Sequence, residues 1–103
     1  MTGYRQGTHV HLIGIGGIGL SAIARVLHGW GHSVTGSDRQ ASALTETLVA
    51  EGIDVGIGHD AANLPDAGVV VVSSAVPADN PEVVEARRRG LPCLLYTSDA
   101  ADE

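Results

Sequence analysis

Apolar positions along this chain follow two rhythms. Short runs rich in β-branched residues occur at 9–15, 32–36, 53–57 and 69–72, and between several of them apolar residues recur every three or four positions. The first rhythm predicts strands and the second predicts helices. The first helix is expected over 17–28, apolar at helical spacing through Ile18, Ala22, Ile23, Val26 and Leu27, with Gly29 and Gly31 as stop signals. A second is expected over 43–50, with Ser42 as N-cap and Gly52 as terminator. Asn80-Pro81-Glu82 combines a capping residue, a proline suited to the first helical position and an acid in the first turn, so a third helix should run to Arg89 and end at Gly90. Val69-Val70-Val71-Val72 suits a strand buried on both faces, and a fifth strand begins at Leu91. Leu44, Leu48, Val83 and Val84 are core candidates.

Repeated strand–helix units with right-handed crossovers imply an α/β fold, a single doubly wound parallel sheet of about five strands with three helices, in the order 3-2-1-4-5. The first crossover carries the chemistry. Gly14, Gly16 and Gly19 follow the first strand and open the first helix, the Rossmann-like spacing in which a tight turn, a close backbone approach to a diphosphate and a close helix–strand contact each exclude a side chain. A helix N-terminus there offers unpaired N–H donors and positive potential to an anionic nucleotide. The chain has no lysine, and so no Gly-Lys-Ser/Thr loop to grip the β- and γ-phosphates of ATP.

In doubly wound sheets ligands bind beyond the carboxyl ends of the strands, at the switch point between strands one and four. Three segments should converge there: the glycine loop, Ser37-Asp38 after strand two, and Ser73-Ser74-Ala75-Val76-Pro77 after strand four, this last supplying hydroxyls and free N–H groups. Asp38 can accept hydrogen bonds from a ribose diol, and it also fits a turn residue or helix cap. His9 and His11 share one face of the first strand at a spacing compatible with a metal, but no cysteine or carboxylate cluster completes a site. The run Arg87-Arg88-Arg89 suits a solvated last turn complementing the helix dipole better than a phosphate patch.

Composition narrows the classes. With 103 residues, 44% of them apolar, the chain has room for one globular domain. A formal charge of −6 argues against a nucleic-acid partner. No apolar run approaches the roughly 18 residues needed to cross a bilayer, and residues 1–7 lack the apolar core of a secretory signal, so no membrane partner and a cytoplasmic location are expected. Residues 93–103, Cys-Leu-Leu-Tyr-Thr-Ser-Asp-Ala-Ala-Asp-Glu, can be coded by a sequence that resembles the transposase adapter end of shotgun sequencing libraries. On that reading the domain occupies 1–92, the tail is not native and the lone Cys93 carries no chemistry; the alternative is a genuine strand with an acidic tail. Without Asp99, Asp102 and Glu103, nine acids face six arginines.

Gly14-Ile-Gly-Gly-Ile-Gly-Leu-Ser21, Gly36-Ser-Asp38, Gly58-His59, Val71-Val-Ser-Ser-Ala75 and Asp79-Asn-Pro-Glu82 together resemble the N-terminal domain of the UDP-N-acetylmuramate:L-alanine ligases of the Mur ligase family, over about 9–92. Leu20 stands where that family usually has methionine. The resemblance implies a part of an ATP-dependent ligase of peptidoglycan synthesis that joins L-alanine to UDP-N-acetylmuramate. It implies that the amides of Ile15, Gly16, Gly17, Ile18 and Gly19 hold the diphosphate, that Asp38, with Ser37 beside it in the site, holds the uridine ribose, and that His59, Ser73, Ser74 and Ala75 lie near the uridine. ATP and magnesium belong, by the same resemblance, to a central domain absent from this chain, which should bind no cofactor and catalyse nothing alone. The alternative is the NAD-binding domain of an oxidoreductase or redox-sensing regulator, in which Asp38 holds the adenosine ribose. The paired Gly16-Gly17 with Ser21 and the downstream motifs fit the ligases better.

Overall fold

A computed structural model describes residues 8–58 and 60–96. Five strands, β1 (His9–Ile13), β2 (Ser33–Asp38), β3 (Asp54–Ile57), β4 (Val69–Ser73) and β5 (Cys93–Tyr96), form one parallel sheet in the order β3-β2-β1-β4-β5. Helices α1 (Ile18–Gly29), α2 (Ala43–Ala50) and α3 (Pro81–Arg88) supply the crossovers, with a short 3-10 helix at Ala61–Asn63 in the β3–β4 connection. The expected fold class and strand order are both present. No helix among the described residues is long and apolar enough to cross a membrane.

Alternation along β1 separates two cores. Val10 and Leu12 pack with Ile15, Leu20, Ala24, Val34, Leu48 and Ile53 under α1 and α2, while Ile13 packs with Leu64, Val70, Val72, Val83 and Ala86 under α3. Ser42 caps α2 as expected, accepting from the Thr45 amide while the Thr45 hydroxyl accepts from the Ser42 amide. Asn80 caps α3 through the Glu82 amide.

Several boundaries and faces differ from the sequence reading. The first strand stops at Ile13 because Gly14 turns the chain at φ 88°. Strand β2 runs on through Ser37 and Asp38, which are ladder residues paired with β3 rather than loop residues. On α1 the buried positions are Leu20, Ser21 and Ala24, whereas Ile18 is 83% and Val26 49% exposed. More apolar residues lie on that helix than one face can bury, so spacing alone did not select the inward side. Val84 is likewise 51% exposed, α3 turning Val83 and Ala86 inward instead. Val69 and Val71 are half-buried while Val70 and Val72 are buried, so β4 is fully covered on only one face.

Candidate functional site

The glycine loop is held from behind by the end of β2. The Gly14 and Ile15 amides both donate to the Ser37 carbonyl, at 2.8 and 3.0 Å. The Gly16 amide donates to Asp38 Oδ2 at 2.8 Å, and the Gly17 amide to the Gly14 carbonyl at 3.1 Å. A Cβ on Gly14 would lie 3.0 Å from Ser73 Cβ, and one on Gly16 would lie 2.7 Å from Asp38 Oδ2. Gly14 is also held at φ 88°, which favours glycine, and a side chain at Gly16 would displace the Asp38 carboxylate. A Cβ on Gly19 would meet the Tyr96 ring, 2.6 Å from its Cε2, so the third glycine serves close packing as expected.

The amides of Ile15, Gly16 and Gly17 are therefore committed within the protein, which narrows the expected set of five diphosphate donors. Helix α1 has Gly17 as N-cap with no side-chain cap, and its first intrahelical donor is the Ser21 amide, bonded to the Gly17 carbonyl. The Ile18, Gly19 and Leu20 amides form the open first turn, with no acceptor among the described residues. An uncapped helix start behind a glycine loop offers the free donors and positive potential that suit an anion.

A cleft of about 240 Å³ opens in front of the loop, lined by Gly14, Gly17, Asp38, Arg39, Ser73, Ala75, Val76 and Pro77. It sits at the β1–β4 switch point, so the structure brings Gly17, Asp38, Ser73 and Ala75 together as expected. Ser37 is fully buried behind it and Ile15 is a core residue, so neither side chain faces a ligand. His59 lies outside the described residues. The expectation of free N–H groups after β4 needs correction: the Ser74 amide donates to the Tyr96 carbonyl, the Ala75 amide to Ser73 Oγ and the Val76 amide to the Ser73 carbonyl. The turn and the end of β5 consume these donors, and Ser74, though exposed, does not line the cleft. Arg39 was missed by the sequence reading; among the described residues it places the only guanidinium lining this cleft, and its position directly after Asp38 was the available signal.

Asp38 combines the two roles weighed for it. Oδ2 holds the loop, and Oδ1 makes a long 3.4 Å bond with the Gln40 amide, a turn contact that leaves acceptor capacity toward the cleft. The arginine run behaves as a solvated last turn: Arg88 and Arg89 bond Glu85, holding its carboxyl down at about 2, and Arg89 also donates to the Pro65 and Leu64 carbonyls.

His9 and His11 form no metal cluster. Both reach Thr35 Oγ1 at 2.8 Å, and His11 Nε2 continues to Glu82 Oε1 at 2.9 Å, so the pair belongs to a hydrogen-bonded chain through the sheet. No grouping of three metal-ligating side chains occurs among the described residues. Burial, and then the neighbouring His11, hold the His9 imidazole below its ordinary 6.5. The unfolded chain then binds this proton more tightly than the folded one, so His9 contributes stability above 6.5 that is lost as pH falls toward the depressed value. Thermal unfolding should come at lower temperature at about pH 5.5 than at about pH 7.5, with a smaller difference in His9→Gln. An undiminished difference in that variant would remove His9 as a cause.

Comparison with known proteins agrees with this geometry. The model of the Mur ligase family, catalytic domain, matches residues 9–98. The UDP-N-acetylmuramate--L-alanine ligase of Acidiphilium cryptum is 60% identical over 85 residues, covering 82% of this chain and 18% of that protein. The ligase of the same name from Rhizobium meliloti is 58% identical over the same share of each. Among solved structures, the UDP-N-acetylmuramate-alanine ligase of Thermotoga maritima superposes with a TM-score of 0.83 at 38% identity, over 84% of this chain and 20% of that one. A murein peptide ligase from Psychrobacter arcticus follows at 0.76 and 31%, over 84% of this chain and 18% of that one. The chain thus spans about a fifth of the length of the relatives it matches. With the glycine loop, the β2 clamp and the β4 turn all inside the matched region, the chain belongs to the Mur ligase family.

Proposed function

We propose that this chain is the nucleotide-sugar-binding part of an ATP-dependent ligase that joins L-alanine to UDP-N-acetylmuramate in peptidoglycan synthesis. The observation that carries the reading is the uncapped start of α1, whose N-cap Gly17 lines a cleft walled by Asp38, Arg39 and Ser73. The diphosphate lies against the Ile18, Gly19 and Leu20 amides and receives added positive potential from Arg39, while the loop amides of Ile15, Gly16 and Gly17 hold the loop in shape. Asp38 accepts from the ribose diol through Oδ1, and Ser73, Ser74, Ala75 and His59 border the uridine.

ATP and magnesium do not fit the residues present. The chain has no lysine, and the described residues offer no carboxylate or histidine cluster for a metal, so no step of acyl activation is assigned to it. Its own contribution is to hold and orient the substrate's nucleotide end, with catalysis in the rest of the enzyme.

Calorimetric titration of the chain with UDP-N-acetylmuramate, UDP and NAD tests the reading. Saturable binding of the first two with none of NAD is expected. Binding of NAD alone would instead favour the dinucleotide domain of an oxidoreductase.

A further inference from the structure

We infer that Glu82 is a positioning residue for the glycine loop, acting through Ser37 from the far side of the sheet. The sequence reading gives Glu82 no role beyond a first-turn acid within the Asp79–Glu82 motif, yet the side chain is fully buried. Its Oε1 accepts two hydrogen bonds, from Ser37 Oγ at 2.8 Å and from His11 Nε2 at 2.9 Å, and both donors are themselves buried. Ser37 in turn presents the carbonyl that holds the Gly14 and Ile15 amides, and its neighbour Asp38 holds the Gly16 amide. One oxygen on α3 is therefore a single residue removed from two successive amides of the loop, and two residues removed from a third.

The other end of the connection is equally fixed. The Glu82 amide donates to Asn80 Oδ1 at 2.8 Å, and Asn80 is buried at the end of the segment that follows Ser73–Pro77. Glu82 thus ties the two walls of the cleft together, the glycine loop by way of β2 and the β4 turn by way of the α3 cap. A buried carboxyl is costly, and packing alone would be served as well by an apolar residue. What the carboxyl adds is direction: it fixes the Ser37 hydroxyl, and with it the plane of the peptide that receives the loop. His9, Thr35, His11 and Glu82 are joined in one hydrogen-bonded chain, so Glu82 is tied to β1 and β2 as well as to Ser37.

The consequence for ligand rests on the nucleotide-cleft reading: Glu82 sets affinity for the diphosphate and leaves that for the nucleoside unchanged. The test uses the 103-residue chain with Ser37→Ala, Glu82→Ala and Glu82→Gln, followed by amide hydrogen exchange and by titration with UDP and with uridine. Exchange at Gly14 and Ile15 is expected to rise about tenfold or more in Ser37→Ala and Glu82→Ala, with α2 and β3 amides unchanged, while Glu82→Gln, which keeps Oε1, stays near the parent. UDP binding should weaken about tenfold in the same two variants and recover in Glu82→Gln, with uridine binding unaltered. Should Glu82→Ala fail to fold, Ser37→Ala decides alone, since it removes one hydroxyl and keeps the His11–Glu82 pair. Unchanged exchange at Gly14 and Ile15 in Ser37→Ala, or a rise spread evenly over the sheet, would overturn the inference. A parent chain that ignores UDP would overturn the nucleotide reading instead, and the exchange pattern would still decide the role of Glu82.

Discussion

Replacing Gly16 with valine is expected to abolish nucleotide binding, weakening it by at least about 100-fold, close to 3 kcal/mol. A Cβ at this position lies 2.7 Å from Asp38 Oδ2 and 3.1 Å from Thr45 Cγ2, before the two valine methyls are counted. Asp38 must therefore swing away, and the Gly16 amide loses its acceptor. Two parts of the site fail together, because the carboxylate proposed for the ribose is also the clamp that keeps the loop clear of the helix start. The strain falls on a side chain and on one residue of α2, not on the sheet, so the cost to stability should be only about 1–3 kcal/mol. Circular dichroism should show a folded variant, and calorimetry should show no binding of UDP-N-acetylmuramate. Affinity within a few-fold of the parent would mean that the loop does not approach the ligand.

Gly36→Ala should have the largest effect on stability and for a different reason. Gly36 lies inside β2, beside Leu12 of β1 and Val55 of β3. Its missing Cβ would meet the Ile15 side chain, 2.7 Å from Ile15 Cβ, and would come 2.8 Å from the Leu12 carbonyl oxygen. Neither neighbour can move away: Ile15 is fixed by its amide bond to Ser37, and the Leu12 carbonyl is backbone of the central strand. A loss of about 3 kcal/mol is expected, which in a domain of this size lowers the melting temperature by roughly 12–24 °C. Gly29→Ala is the control, since nothing lies within 4 Å of its Cβ position. That exchange should leave stability unchanged or raise it slightly, as alanine is the better helix former. Urea unfolding of the three proteins compares them directly, and equal midpoints for Gly36→Ala and the parent would contradict the packing described.

These two glycines also show what could be read from the chain alone. Gly16 was legible because the loop spacing and the strand before it are local signals, and α2 was legible to its ends because Ser42 and Gly52 punctuate it. The strand order followed from the crossover rule once the elements were counted. Gly36 looked like the end of a strand, yet it is a mid-strand glycine required by the close approach of Ile15, and that approach exists only after the loop has turned back over β2. The Glu82–His11 contact joins residues 71 apart, so no local pattern could announce it, and a first-turn acid was the natural reading. The inward face of α1 was hidden by an excess of apolar residues: Ile18, Val26 and Trp30 lie exposed on the same helix and its cap while Leu20 and Ala24 are buried. The loop donors were overcounted for a related reason, since sequence shows which amides a loop has but not which of them the protein itself consumes.

The measurement that bears most directly on the central claim is a residue-resolved NMR titration of the isotope-labelled chain with UDP-N-acetylmuramate. Saturable shifts concentrated at the Ile18, Gly19 and Leu20 amides, Asp38, Arg39 and Ser73 to Ala75 are the predicted result. A folded chain whose shifts fall elsewhere, or whose helix-start amides stay unmoved at saturation, would contradict the assignment of this cleft to the nucleotide-sugar.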